Sequence, residues 1–89
     1  MKILIIEDEI LIQKSLKRLL EKRGAAVDVA TFGQDAITMI NSNNYQRIIC
    51  DLMLKDISGF DIIEESKKKF SLEQIKNIFI IITAYSSPQ

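Results

Sequence analysis

An α/β domain built on a parallel sheet, with helices on both faces, is the fold class this sequence predicts. Three observations carry it. Short β-rich runs alternate with longer amphipathic ones, most of the strand-like runs are continuously apolar, and acidic or hydroxyl residues follow three of them. Continuous apolar runs mark strands buried on both faces, and their alternation with helices implies right-handed parallel crossovers.

The first strand is Ile3-Leu4-Ile5-Ile6, ending in Glu7-Asp8. From Ile10 to Arg23, Ile12, Leu16, Leu19 and Leu20 fall at the spacing of one helical face, with Lys14, Lys17, Arg18 and Glu21 largely opposite. Lys22, Arg23 and Gly24 supply a stop signal of late positive charge followed by glycine. Ala26 to Ala30 alternates around Val27, Asp28 and Val29 and reads as a second strand, wetter on one face. A second helix runs from Gly33 to about Asn41, with Ala36, Ile37 and Ile40 on one side, until Asn41-Ser42-Asn43-Asn44 breaks it.

Arg47 to Cys50 forms the third strand and ends at Asp51. A loop from Asp51 to Ser58 leads to a third helix over Gly59–Lys69, with Ser58 as N-cap, Asp61 in the first turn and Lys67-Lys68-Lys69 at its end. Ser71-Leu72-Glu73-Gln74 reads as one further capped turn. Ile78 to Ile82 is the most hydrophobic run and is expected to be a fully buried fourth strand. Ser86-Ser87-Pro88 has the pattern of a helix opening.

Composition narrows the function classes. Twelve basic residues balance twelve acidic ones, which argues against a strongly basic nucleic-acid module and an acidic tail. No apolar run has the length of a membrane span, and no secretory pattern opens the chain, so a cytoplasmic location is the expectation. One cysteine and no histidine leave neither a disulfide framework nor the usual zinc spacings. Cys50 reads as a small buried hydrophobe, and the lysine run 67–69 as a helix end. No glycine-rich phosphate loop follows the first strand.

In open α/β sheets, ligands bind beyond the carboxyl ends of the strands. Glu7 and Asp8, Asp51 and Thr83 occupy three such ends, and a 2-1-3-4 strand order makes them neighbours. Asp8 alone could cap the first helix, and Asp51 alone could open a turn. Together, carboxylates without a cationic neighbour repel one another, and such a cluster normally holds a hard cation such as Mg²⁺.

These motifs make the resemblance specific. With Lys2-Ile3-Leu4-Ile5-Ile6-Glu7-Asp8-Glu9, Cys50-Asp51-Leu52-Met53-Leu54, Gly59 eight residues after Asp51, and Ile82-Thr83-Ala84-Tyr85, the chain resembles the receiver domain of two-component response regulators over residues 1–89. The resemblance implies a flavodoxin-like sheet of order 2-1-3-4. It implies a signalling module that accepts a phosphoryl group on Asp51 from a sensor histidine kinase or a histidine phosphotransfer protein. Asp8 and Asp51 would ligate Mg²⁺ directly, Met53 through its backbone carbonyl, and Glu7 through a water. Thr83 would bond the phosphoryl group after transfer, with Ala84 small enough to admit its oxygens. Met53 and Tyr85 stand where side chains tune dephosphorylation; both are bulky, so slow hydrolysis is expected. Such a domain is not an enzyme beyond self-phosphorylation and self-dephosphorylation at Asp51.

Two departures from the family pattern stand out. Lys55 replaces the usual proline, and the sequence stops before a fifth, lysine-bearing strand and a last helix. The expectation is therefore one receiver domain over 1–89, incomplete at its C-terminus. The Ile78–Ile82 strand would then be an exposed edge, and the chain would be sticky as a monomer and inclined to dimerise or swap through it. No direct nucleic-acid or membrane contact is expected of this segment. The alternative reading is a receiver-like interaction or dimerisation module that is not phosphorylated. A Mg²⁺-dependent phosphotransfer enzyme on small molecules is a third class. It is disfavoured because Asp51-Leu52-Met53 lacks the second aspartate that haloacid-dehalogenase-like phosphatases place two residues after their nucleophile.

Overall fold

The computed structural model describes residues 1–82, so Thr83, Ala84, Tyr85 and the helix opening at Ser86 lie outside the described residues. Elements follow in the order β1 (Lys2–Ile6), α1 (Ile10–Lys22), β2 (Ala26–Ala30), α2 (Gly33–Ser42), β3 (Arg47–Asp51), α3 (Gly59–Ser66), α4 (Leu72–Ile78) and β4 (Phe79–Ile82). All strand pairings are parallel, and the order is β2-β1-β3-β4. The α/β fold class and the 2-1-3-4 order expected from the sequence are both present. Among the described residues, no helix is long and apolar enough to cross a membrane.

The period-2 geometry of β1 and β3 divides the core into two layers. Leu4, Ile6, Ile48 and Cys50 face the larger layer, packed with Ala36 and Ile40 of α2, Ile62 of α3, and Ile75 and Phe79. Ile3, Ile5 and Ile49 face the other, where Leu16 and Leu20 of α1 close against them. The two central strands are thus buried on both sides, as their unbroken apolar runs require.

Four elements depart from the sequence reading. In α1, Leu19 is half exposed, while Gln13 is buried. The inward arc centres on Leu16 and Leu20, leaving Leu19 at its rim; Gln13 turns in because its amide has two hydrogen-bond acceptors there. The third helix ends at Ser66, with Lys67 as C-cap and the backbone closing in turns over Lys67–Phe70. The expected single turn after Ser71 is a seven-residue helix that takes Ile78 from the fourth strand.

That strand is also not fully buried. Phe79 is 9% exposed, but Ile80 and Ile81 are 46% and 42% exposed, because β4 pairs only with β3 among the described residues. Helix caps agree better with expectation. Ser58 and Ser71 each form a reciprocal capping box, with Asp61 and Gln74.

Ile62 is completely buried between α3 and the β1–β3 layer. Ile62→Ala is expected to lower stability by about 2–5 kcal/mol through lost burial and a residual cavity. Urea denaturation measures this, and a loss below about 1 kcal/mol would contradict the packing described.

Candidate functional site

Parallel strands that start on one edge of a domain end together on the other, and here the ends of β1 and β3 bring the acidic residues together. Ile6 pairs with Cys50, so Glu7 and Asp8 emerge beside Asp51, the last residue of β3. Oxygens from Glu7, Asp8 and Asp51 all lie within 4.8 Å of one another. Glu7 is fully buried, Asp51 is 2% exposed, and Asp8 is intermediate.

The alternative roles for the aspartates separate here. Asp8 does not cap α1: Glu9 is the N-cap residue, and no side chain caps that end. Asp51 does shape a turn, since its Oδ1 accepts a hydrogen bond from Met53 N–H at 3.0 Å. That bond uses one carboxylate oxygen and positions the first residues of the β3–α3 loop. It is compatible with chemistry at the other oxygen.

Glu7 carries a clear electrostatic signal. Its Oε2 accepts from the Glu9 backbone N–H at 3.0 Å, while Oε1 is buried with no hydrogen-bond partner among the described residues. Burial, chiefly, raises its carboxyl from the ordinary 4.5 to about 7, against the Glu9 N–H; Asp51, by charge and hydrogen bonding, and the Asp8 charge add to the rise. A buried carboxylate with an unpartnered oxygen, clustered with two other carboxylates, fits a bound divalent cation. The all-oxygen donor set is that of Mg²⁺ rather than of a soft metal. The other titratable neighbour is inert. Burial, and secondarily the Asp51 charge, pushes the Cys50 thiol up to about 12.

Gly59 is explained by a close approach. A Cβ there would lie 2.7 Å from the Asp51 carbonyl oxygen and 2.9 Å from Leu52 Cα, both backbone atoms. Gly59 N–H donates to Leu52 C=O at 2.9 Å, and Met53 bridges Ser58, so the loop returns tightly onto the end of β3. Met53 and Lys55 are exposed on this loop. Phe60 points outward beside them, 63% exposed, whereas Ile62 is core.

One contributor escaped the sequence reading. Gln13 Nε2 donates to the Glu7 carbonyl at 2.9 Å and to Thr31 Oγ1 at 3.3 Å, tying α1 and the β2–α2 connection to the acidic strand end. Its only sequence signal was a polar residue on the inner arc of a helix.

The response regulator receiver domain family matches residues 3–89. The chain is 37% identical over 84 residues to the transcriptional regulatory protein QseB of Escherichia coli O157:H7, covering 94% of this chain and 36% of that regulator. It thus spans about a third of that relative's length. Among solved structures, the response regulator TrrA of Thermotoga maritima in complex with Mg²⁺–BeF is 35% identical, with a TM-score of 0.82, over 96% of this chain and 70% of that one. TrrA in complex with the histidine kinase ThkA is 34% identical with a TM-score of 0.80, over 97% of this chain and 71% of that one.

The Glu7 shift has a measurable consequence without cation. Folded Glu7 keeps its proton up to about pH 7 while unfolded Glu7 loses it near 4.5, so the folded state binds more protons between those values. Stability of the metal-free chain should therefore fall as pH rises through that window, by at most about 3 kcal/mol. Glu7→Gln should flatten the dependence. Denaturation midpoints from pH 4.5 to 7.5 (about 4.5 marking the ordinary carboxylate range) test this, and identical pH profiles for the two proteins would contradict it.

Proposed function

The chain belongs to the response regulator receiver domain family, and on that premise we propose that Asp51 is its phosphoacceptor, supplied by a sensor histidine kinase or a histidine phosphotransfer protein. The observation that carries this reading is the convergence of Glu7, Asp8 and Asp51, with an unpartnered Glu7 oxygen among them. Asp8 and Asp51 would hold Mg²⁺ directly, with the Met53 backbone carbonyl, and Glu7 through a water. When bound, Mg²⁺ neutralises the phosphoryl oxygens and lowers the repulsion that the carboxylate nucleophile would meet.

The remaining chemistry belongs to the chain. Met53 N–H engages Asp51 Oδ1 and fixes the carboxylate plane, leaving Oδ2 as the nucleophile. A P–O bond forms to Oδ2 as the donor's P–N bond breaks, and the donor imidazole leaves with the electron pair. The product is an acyl phosphate on the end of β3. Thr83 then bonds the added phosphoryl oxygens, with Ala84 leaving room for them; new hydrogen bonds of this kind bias a two-state loop and make the site a switch. Nothing in this requires more than self-phosphorylation and self-dephosphorylation at Asp51.

Met53 and Tyr85 stand at the sequence positions whose side chains tune dephosphorylation in the family, and both are bulky, so the phospho-form should persist for minutes or longer. Lys55 would alter the charge at the mouth of the site. A cytoplasmic setting, where kinases and Mg²⁺ are available, belongs to the same proposal. The half-exposed Ile80 and Ile81 on β4 support a homodimer or strand exchange through this edge as an accompanying arrangement.

Incubation with Mg²⁺ and a small acyl-phosphate donor, followed by intact-mass measurement, tests the assignment. One added phosphoryl group is expected, absent in Asp51→Asn. A chain that takes up none, or an Asp51→Asn variant that still does, would overturn it. Decay of the phospho-form within seconds would contradict the role given to Met53 and Tyr85. Lys55→Pro with unchanged phosphorylation and dephosphorylation rates would remove Lys55 from the site.

A further inference from the structure

The loop between β3 and α3 is fastened not only to its own strand but to a different helix. Asp56, five residues beyond Asp51, turns away from the carboxylate cluster and reaches the N-terminus of α2. Its Oδ1 accepts from Gly33 N–H at 2.9 Å and its Oδ2 from Gln34 N–H at 3.0 Å. These are two of the donors that a helix start leaves without intrahelical partners. The local N-cap residue, Phe32, has no side-chain acceptor, so the cap arrives from 22 and 23 residues away.

The neighbouring contact reinforces it. Ile57 lies so close over Gly33 that a Cβ there would collide with Ile57 Cγ1. Burial, the largest single effect, raises the Asp56 carboxyl, but the backbone N–H groups of Gln34, Gly33, Ile57 and Asp56 itself together hold it below its ordinary range. The clamp is therefore charged across the neutral range.

The same helix is held at its other end. Lys69 Nζ donates to the Ile40 carbonyl at 2.6 Å and the Asn43 carbonyl at 2.8 Å. A carboxylate at the N-terminus and an ammonium at the C-terminus each complement the helix dipole. Both come from the segment that follows β3, yet their positions differ in consequence. Lys69 lies beyond the far end of α3, whereas Asp56 lies in the loop that carries Met53 and Lys55.

We propose that Asp56 is a positioning residue for the carboxylate site: by clamping the β3–α3 loop to the start of α2, it holds the Met53 backbone where it meets Asp51. The proposal rests on reading the cluster as a cation-dependent phosphoacceptor, and it adds a residue that touches neither the cation nor the phosphoryl group. The Gln34 N–H can be hydrated when Asp56 is removed, because Asp56 and Gln34 are exposed, whereas the Gly33 N–H, on a buried residue, loses its acceptor at a modest cost. Loss of Asp56 should therefore free the loop rather than unfold the helix.

Asp56→Ala, Asp56→Asn and Lys69→Ala in the 89-residue chain separate positioning from plain stabilisation. Thermal midpoints should fall modestly in both alanine variants, since each removes one end of the clamp. Amide hydrogen exchange at Met53 should quicken about tenfold in Asp56→Ala and stay near wild type in Lys69→Ala. Mg²⁺ binding, followed by titration with the metal alone, should weaken about tenfold in Asp56→Ala only. Asp56→Asn, which keeps one carbonyl acceptor, should recover part of both.

Exchange and Mg²⁺ affinity in Asp56→Ala equal to wild type, or matched by Lys69→Ala, would overturn the proposal. If wild type binds no Mg²⁺, the reading of the cluster falls instead, while the exchange comparison still decides the clamp.

Discussion

Three carboxylates whose oxygens lie within 4.8 Å repel one another, and the architecture around them both enforces and contains that repulsion. Glu7 and Asp51 are almost wholly removed from water, so solvent screens them little. The protein meets part of the cost by keeping Glu7 protonated up to about pH 7, and leaves one of its oxygens without a partner. The proposed cation would supply what the protein withholds, which would couple stability, pH and metal at one place.

The sheet forces this meeting. Parallel pairing of Ile6 with Cys50 brings both strands to their carboxyl ends side by side, and apolar burial on both faces fixes that register. The chain must then turn sharply at Asp51 without blocking it. The Met53 N–H on Asp51 Oδ1, the Met53–Ser58 bridge and the bare Cα of Gly59 against the Asp51 carbonyl make that turn. Gln13 from one layer and Asp56 from the other fasten the two acidic strand ends to α1 and α2. Site and scaffold share the same few contacts.

Much of this was legible in the sequence, and the missing parts have a common cause. Alternating strand and helix periodicities are local, so the order of elements and the class of sheet followed from them. The strand-end rule then placed Glu7, Asp8 and Asp51 together, and Gly59 followed from the family motif that its close approach explains. Contacts joining distant segments were not legible. Lys69 read as the end of its own helix but serves the C-terminus of α2, 26 and 29 residues away. Asp56 read only as loop, Leu19 read as core, and Gln13 drew no reading at all, because helix rotation and cross-element caps depend on tertiary partners. At Ile80-Ile81 the apolar run alone suggested full burial, whereas the expectation of an exposed edge matches what the described residues show.

The central claim is that the carboxylate cluster is a single divalent-cation site poised by Glu7. Calorimetric titration with Mg²⁺ near pH 7, in buffers of different ionisation enthalpy, tests it most directly, because it reads binding and proton release together. One Mg²⁺ per chain should bind with release of about half a proton, proton release should vanish in Glu7→Gln, and binding should be lost or much weakened in Asp51→Asn. No saturable binding, or binding indifferent to Asp51 and without proton release, would contradict it.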